Sequence, residues 1–287
     1  MSQNIKAGIV FPSGKVKTDI FENGLSLLKD FSDIEIFKTN FDYGYFAGTD
    51  IERTTTVLRA LRSDSDILIS ARGGFGSIKM DLKAIQAELK KYPKPICGFS
   101  DITVLLELWW KTDVRSFHSP VITQLPILED NSLNYFMKFL SNGTLPQITV
   151  KPVLNSINNS DQVKIKAGNL TVFGSISGTF LSPVFKNHYV LLEDINEPDY
   201  KIDRILSQLF LGTDLSQSLG IILGQFSECS SNIEDIVVDA VKKYAPSIFI
   251  GSGANIGHST TNQIVEYGGN YTLRNIGSDI YFTHSGE

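Results

Sequence analysis

Pro95-Ile96-Cys97-Gly98-Phe99-Ser100-Asp101-Ile102-Thr103-Val104-Leu105-Leu106-Glu107-Leu108-Trp109-Trp110 is a short apolar run, a break, and a long apolar run. Pro95 to Gly98 reads as a buried strand, Ser100 as the turn, and Ile102 to Trp110 as a helix that starts at once. A strand that feeds directly into a helix is the repeating piece of a parallel sheet. The same piece recurs upstream. Lys6 to Phe11 reads as a buried strand, and Asp19 to Phe31 as a helix with Ile20, Phe21, Leu25, Leu27, Leu28 and Phe31 on one face. Ile34 to Phe37 is a second strand. Thr49 with Glu52 forms a capping box for a helix through Val57, Leu58 and Leu61. Ile67 to Ile69 is a strand, and Arg72-Gly73-Gly74-Phe75-Gly76 turns the chain into the next helix. Val114 to Phe117 adds one more strand. The alternation predicts an α/β fold: an N-terminal doubly wound, mostly parallel sheet with helices on both faces.

The pattern changes near Leu140. Asn142-Gly143, Pro146, Pro152 and Asn158-Asn159 are breaker signals, so 1–140 reads as the first domain and 141–161 as a linker. Residues 162–287 read as a second, smaller, β-rich domain. Its expected strands are Val163 to Ile165, Val190 to Leu192, Ile221 to Leu223 and Ile248 to Ile250. Helices are expected at Ile202 to Leu211 and, capped by Asn232, at Ile233 to Tyr244. Gln263 to Tyr267 and Tyr271 to Leu273, split by Gly268-Gly269-Asn270, read as a closing hairpin.

Composition narrows the function. Hydrophobic residues make up 42 % of the 287 and charged residues 20 %, which suits a packed core and argues against disorder. The net charge is −5 and no basic block stands out, so nucleic acid is not an expected partner. No apolar stretch is long enough for a membrane span. The run from Ala7 to Phe11 is too short for a signal peptide core, which points to a cytoplasmic protein with export left open. Cys97 and Cys229 make no C-x-x-C pair. His118, His188, His258 and His284 show no metal-ligand spacing, so no metal and no cofactor is expected.

Four places carry chemistry. Gly98-Phe99-Ser100-Asp101, between strand and helix, fits a nucleophile elbow, with the Asp101 amide placed for an oxyanion. A helix cap fits the same residues, and the second Gly of common hydrolase elbows is replaced by Thr103. Arg72-Gly73-Gly74-Phe75-Gly76 offers backbone N–H groups to an anion or makes a plain tight turn. It is neither a dinucleotide fingerprint nor a P-loop. Leu191-Leu192-Glu193-Asp194-Ile195-Asn196-Glu197 ends an apolar strand in carboxylates. Gly257-His258-Ser259 lies in a loop after a strand. A serine hydroxyl needs a base, and an imidazole base needs a carboxylate to fix its tautomer. Ser, Glu and His, each beyond a strand, supply that set.

Tyr45-Phe46-Ala47-Gly48-Thr49-Asp50 with Arg53, then ARGGFG, GFSD, LLEDINEPDYKIDRIL and IGH resemble, in this order, the LD-carboxypeptidases (muramoyl-tetrapeptide carboxypeptidases). The resemblance spans nearly the whole chain. It implies a catalytic Ser100, Glu193 and His258, oxyanion donors at the backbone N–H of Gly74 and Asp101, a site between two domains, and a homodimer. It implies a serine carboxypeptidase that frees the terminal D-Ala of a murein tetrapeptide by cutting an L,D-peptide bond. The substrate carboxylate then needs an arginine, and Arg72, beside Gly73, and Arg204 are the candidates. Two departures stand out: Ser119 replaces the Gly of the family's T-H-G-P, and Phe99 replaces the Tyr of G-Y-S-D. The alternatives are a microcin C immunity-type hydrolase, which cleaves an acyl linkage on a nucleotide toxin, and a non-catalytic peptide- or sugar-binding module.

Overall fold

Strands whose residues are buried on both faces read as unbroken apolar runs, as Ala7 to Val10 does in β1 (Ile5–Val10) and Ile67 to Ile69 does in β3 (Ile67–Ser70). The computed structural model describes residues 5–29 and 32–286. The chain divides into two compact units, Met1–Thr144 and Leu145–Glu287.

In the first unit β2 (Ser32–Phe37), β1, β3, β4 (Ile96–Gly98) and β5 (Ser116–His118) lie side by side in the order β2-β1-β3-β4-β5, and every pairing is parallel. Chain order reverses between β1 and β3, and an open α/β sheet places its site beyond the carboxyl ends of strands at such a reversal. The loops leaving β1, β3 and β4 start there. Helices α1 (Thr18–Leu28), α2 (Asp50–Arg62), α3 (Leu82–Leu89), α4 (Thr103–Trp110) and α5 (Asp130–Asn142) complete the unit. The expected helical face of α1 is described as far as Leu28; Phe31 lies outside the described residues.

The capping box of α2 is formed. The Thr49 hydroxyl accepts from the Glu52 amide at 3.3 Å, and the Thr49 amide donates to the Glu52 carboxylate at 2.9 Å. A cap of this kind contributes about 1 kcal/mol. Arg53, on the next turn, is fully buried and explains why the motif needs it. Its guanidinium donates to Gly48 O (2.6 Å), Asp50 Oδ1 (2.5 Å) and Gly76 O (3.2 Å) and lies 4.6 Å from the centre of the Phe46 ring. It thereby ties the Tyr45–Asp50 segment to the glycine-rich turn after β3.

The second unit is a closed barrel of β6 (Ile148–Leu154), β7 (Ser160–Asn169), β8 (Tyr189–Ile195), β9 (Gly220–Ser227), β10 (Phe249–Ser252), β12 (Gly269–Ile276) and β13 (Asp279–His284). Around the ring, β7-β8-β9-β10 pair in parallel and β10-β6-β13-β12-β7 antiparallel. Its core includes Ile165, Leu191, Ile222 and the aromatic group Tyr189, Phe249 and Phe282. Tyr189 meets the other two rings edge-on, at 6.2 and 5.2 Å. Burying one such side chain is worth about 1.5–3 kcal/mol. Helices α6 (Leu170–Ile176), α7 (Asp199–Gly212) and α8 (Ile233–Tyr244) follow β7, β8 and β9.

Several expectations change. The stretch read as a linker contains β6, where buried Ile148 and Val150 alternate with exposed Thr149 and Lys151, a strand signal that the prolines obscure. The second unit is therefore about as long as the first rather than smaller. The final hairpin joins β12 to β13, with Asn275 opposite Ile280, and β11 (Val265–Glu266) is a separate two-residue strand. Asn232 precedes α8, but its side chain makes no capping hydrogen bond.

Candidate active site

The turn after β4 places Ser100 in an uncommon conformation. Phe99 is extended, and Ser100 has φ 62° before a 3₁₀ turn that runs into α4. Among the described residues six non-glycine positions have such positive φ, and four of them are Asn or Asp, which tolerate it. Ser100 is not of that kind, and strain of this sort marks functional turns. The conformation is the one a strand-to-helix elbow needs to lift a side chain clear of the sheet.

Gly73 and Gly74 pass beside this serine. A Cβ on Gly73 would sit 2.9 Å from Ser100 Cβ and 3.0 Å from Ser100 Oγ, so only glycine fits. Gly74 has φ 111°, a backbone region that favours glycine. The turn is anchored by Gly14 N donating to Gly73 O (3.2 Å) and by an Arg72 guanidinium N–H donating to Lys15 O (2.7 Å). Among the described residues the amides of Gly74 and Asp101 donate to no protein acceptor.

The Asp101 side chain is turned inward. Its carboxylate accepts from Ser13 Oγ at 2.6 Å and from the Ser77 amide at 2.8 Å, while the Ser13 and Ser77 hydroxyls lie 2.8 Å apart. Burial raises its pKa, and the hydrogen bonds from Ser13, Ser77 and Gly76 oppose that shift.

The second unit holds an acid and a base together. Glu193, on β8 opposite Asn169 of β7, is fully buried, and its Oε2 lies 2.6 Å from His258 Nδ1. The His258 loop is fixed from two sides. Gly257 N donates to the fully buried Asn262 at 3.1 Å, and Ser259 N donates to the Gln225 side chain at 3.3 Å. Burial works against a charged imidazole, but the charge and hydrogen bond of Glu193, with Asp194 beyond it, outweigh burial and raise the His258 pKa above 6.5.

The neighbouring acids are engaged elsewhere. The Asp194 carboxylate accepts from Asn169 Nδ2 (2.9 Å), Thr171 N (2.9 Å), Thr171 Oγ1 (2.8 Å) and Ile195 N (2.9 Å). This is the opposite turning expected of consecutive strand residues. Its pKa is raised by burial and by the Glu193 charge. Glu197 pairs with Lys201 at 2.7 Å and accepts from Thr171 Oγ1. Arg204 is exposed on α7, and its guanidinium lies 5.2 Å from the Tyr200 ring, against an aromatic face.

The substituted Ser119 is accommodated. Its φ is not positive, its amide donates to Gly98 O at 3.2 Å, and its hydroxyl reaches Pro120 O at 3.2 Å. Phe99 keeps the ring of the tyrosine it replaces, edge-on to His118 at 5.8 Å.

Each unit thus holds its own set: Arg72, Gly73, Gly74, Ser100 and Asp101 in the first, Glu193 and His258 in the second. Sequence reasoning missed Ser13, Ser77, Asn169, Gln225 and Asn262. Asn169 carried a signal, since an Asn between strand and helix is a cap, and it does accept from Val172 N at 3.1 Å. Gln225 and Asn262 carried none, because their partners are set by the fold.

Residues 7–119 match the family model of the LD-carboxypeptidase N-terminal domain, and residues 162–273 that of the LD-carboxypeptidase C-terminal domain. A putative carboxypeptidase of Synechocystis sp. is 30% identical over 272 residues, covering 91% of this chain and 88% of the relative. The crystal structure of muramoyltetrapeptide carboxypeptidase from Oxalobacter formigenes is similar with a TM-score of 0.83 and 26% identity, over 98% of this chain and 99% of that one. An MccF-like protein from Bacillus anthracis str. Ames has a TM-score of 0.81 over 99% of this chain and 98% of its own, but its 20% identity makes this a likeness of fold alone.

Proposed function

The chain belongs to the LD-carboxypeptidase family, and on that premise we propose that it is a serine carboxypeptidase releasing the terminal D-Ala from a murein tetrapeptide. The observation that carries the proposal is the backbone of Ser100, held at φ 62° against the Gly73-Gly74 turn. A serine acting only as a helix cap has extended backbone and no need of this conformation.

In the proposed reaction Ser100 Oγ attacks the carbonyl carbon of the bond between the L-centre of diaminopimelate and D-Ala. His258 takes the hydroxyl proton and Glu193 stabilises the imidazolium, as the 2.6 Å contact between them supports. The Gly74 and Asp101 amides donate to the oxyanion. The tetrahedral intermediate collapses, His258 gives its proton to the D-Ala nitrogen, and an acyl ester is left on Ser100. Water then attacks the ester, His258 takes one of its protons and returns it to Ser100 Oγ, and the tripeptide leaves. Arg72, in the same turn as Gly73 and Gly74, is the proposed holder of the D-Ala carboxylate. Among the described residues no helix is long and apolar enough to cross a membrane. The cytoplasmic location, the homodimer and a place in peptidoglycan recycling belong to the same proposal.

Mass spectrometry of defined muropeptides after incubation tests it. The expected result is conversion of tetrapeptide to tripeptide plus D-Ala. Turnover of an aminoacyl nucleotide with no muropeptide cleavage would replace the proposal with the microcin-immunity alternative.

A further inference from the structure

We propose that the Asp101 side chain is a positioning residue that sets the spacing between the two oxyanion donors, the amides of Gly74 and of Asp101 itself. This rests on the serine hydrolase reading of Ser100.

Asp101 is 3 % exposed, and among the described residues no cation is named as acting on its carboxylate. A buried charge without an ion partner persists only where hydrogen bonds replace the lost water. Here the donors come from two other loops. Ser13 belongs to the loop leaving β1, and Ser77 belongs to the turn leaving β3, three residues beyond Gly74. The Gly76 amide also favours the ionised form. Asp101 itself follows β4. One side chain therefore links the ends of β1, β3 and β4. The link to β3 runs through backbone N–H groups, which leaves little slack between Asp101 and the Gly74 peptide.

The chemistry gives a reason for this linkage. An oxyanion hole works only if both donors lie at hydrogen-bond distance from one oxygen at the moment charge develops. In this chain one donor follows β3 and the other follows β4. The residue that supplies the second donor also grips, through its side chain, the turn that supplies the first. A plain loop stitch predicts lost stability alone. A spacer predicts a slower acylation of Ser100 with substrate binding preserved, because the affected interaction exists only in the transition state.

The test compares wild type, S100A, D101A, D101N and the double variant S13A/S77A. It follows the rate of Ser100 labelling by a fluorophosphonate, with kcat and KM on the murein tetrapeptide and circular dichroism for the fold. D101A is expected to label on the order of fiftyfold slower than wild type with KM within about twofold. D101N, whose Oδ1 still accepts from the Ser77 amide, is expected to recover to within about tenfold. S13A/S77A, which keeps the backbone donors, is expected to stay within about threefold even if its melting temperature falls. Labelling of folded D101A within about threefold of wild type overturns the inference and leaves the hydrolase reading standing. If D101A does not fold, D101S, whose shorter side chain cannot reach the Ser77 amide, is read in its place, and labelling of folded D101S within about threefold of wild type overturns the inference. A wild-type protein with no labelling at Ser100 overturns the hydrolase reading and the inference with it.

Discussion

Ser100 occupies the space that a side chain on Gly73 would need, with its Cβ 2.9 Å from the position of a Gly73 Cβ. Gly73→Ala is therefore expected to push the serine or the turn out of place. We expect kcat/KM to fall by about tenfold to a hundredfold, since small displacements of a reacting group carry such costs. Ser100→Ala is expected to lose several orders of magnitude, on the order of 10⁴ or more, with the fold intact. Steady-state kinetics with circular dichroism on both variants checks this. Residual S100A activity within tenfold of wild type would show that Ser100 is not the nucleophile.

Glu193 and Glu197 lie four residues apart and have different partners. Glu193 holds His258, and Glu197 holds Lys201. Glu193→Gln is expected to lower kcat by about a hundredfold or more, because an amide does not stabilise an imidazolium. Glu197→Gln is expected to stay within about tenfold, as for a group outside the relay. Kinetics with one muropeptide on both variants decides, and the reverse ranking would assign the acid to Glu197.

The pH profile follows from the raised pKa of His258. The imidazole must be neutral to accept a proton, so activity is expected to rise with pH through a value above 6.5. Removing the Glu193 charge leaves burial to act on the imidazole with less opposition. The acidic limb of Glu193→Gln should then move to lower pH while its plateau falls. A limb that stays in place would mean that His258 is not the titrating base.

Arg72 and Arg204 separate by surroundings. Arg72 is half-buried beside Gly73 and tied to Lys15 O, whereas Arg204 is exposed over Tyr200. Arg72→Ala is expected to raise KM by about tenfold or more through loss of the carboxylate contact, and Arg204→Ala to change it less than about threefold. Titration with tetrapeptide measures both, and equal effects would remove the distinction.

The alternation of strands and helices made the first sheet legible, because burial on both faces writes unbroken apolar runs such as Ile67 to Ile69 into the sequence. The capping box at Thr49 and Glu52 was legible for a similar reason, since the whole interaction spans four residues. The barrel was less so. Alternation reports which face of a strand is buried and not which strand lies beside it, so Tyr271 to Leu273 was assigned the partner before it rather than β13 after it. β6 is masked by Pro152 within it and by the breakers around it. At the site, Glu193 and His258 stood out by residue type, but the grip of Asn262 and Gln225 on the histidine loop is tertiary and left no local mark.

The two sheets end differently. A ring of strands has no first or last member, so the second unit's barrel offers no unpaired row of backbone groups for another chain to extend. The first unit's sheet stops at β2, where exposed Asp33 and half-buried Glu35 share the edge with Ile36, 44 % exposed. One half of the molecule is thus protected from aggregation by geometry and the other by charge. Only the second kind of protection weakens with ionic strength, because salt screens repulsion between like-charged edges. At high salt, strand-to-strand clumping of this protein should begin at β2.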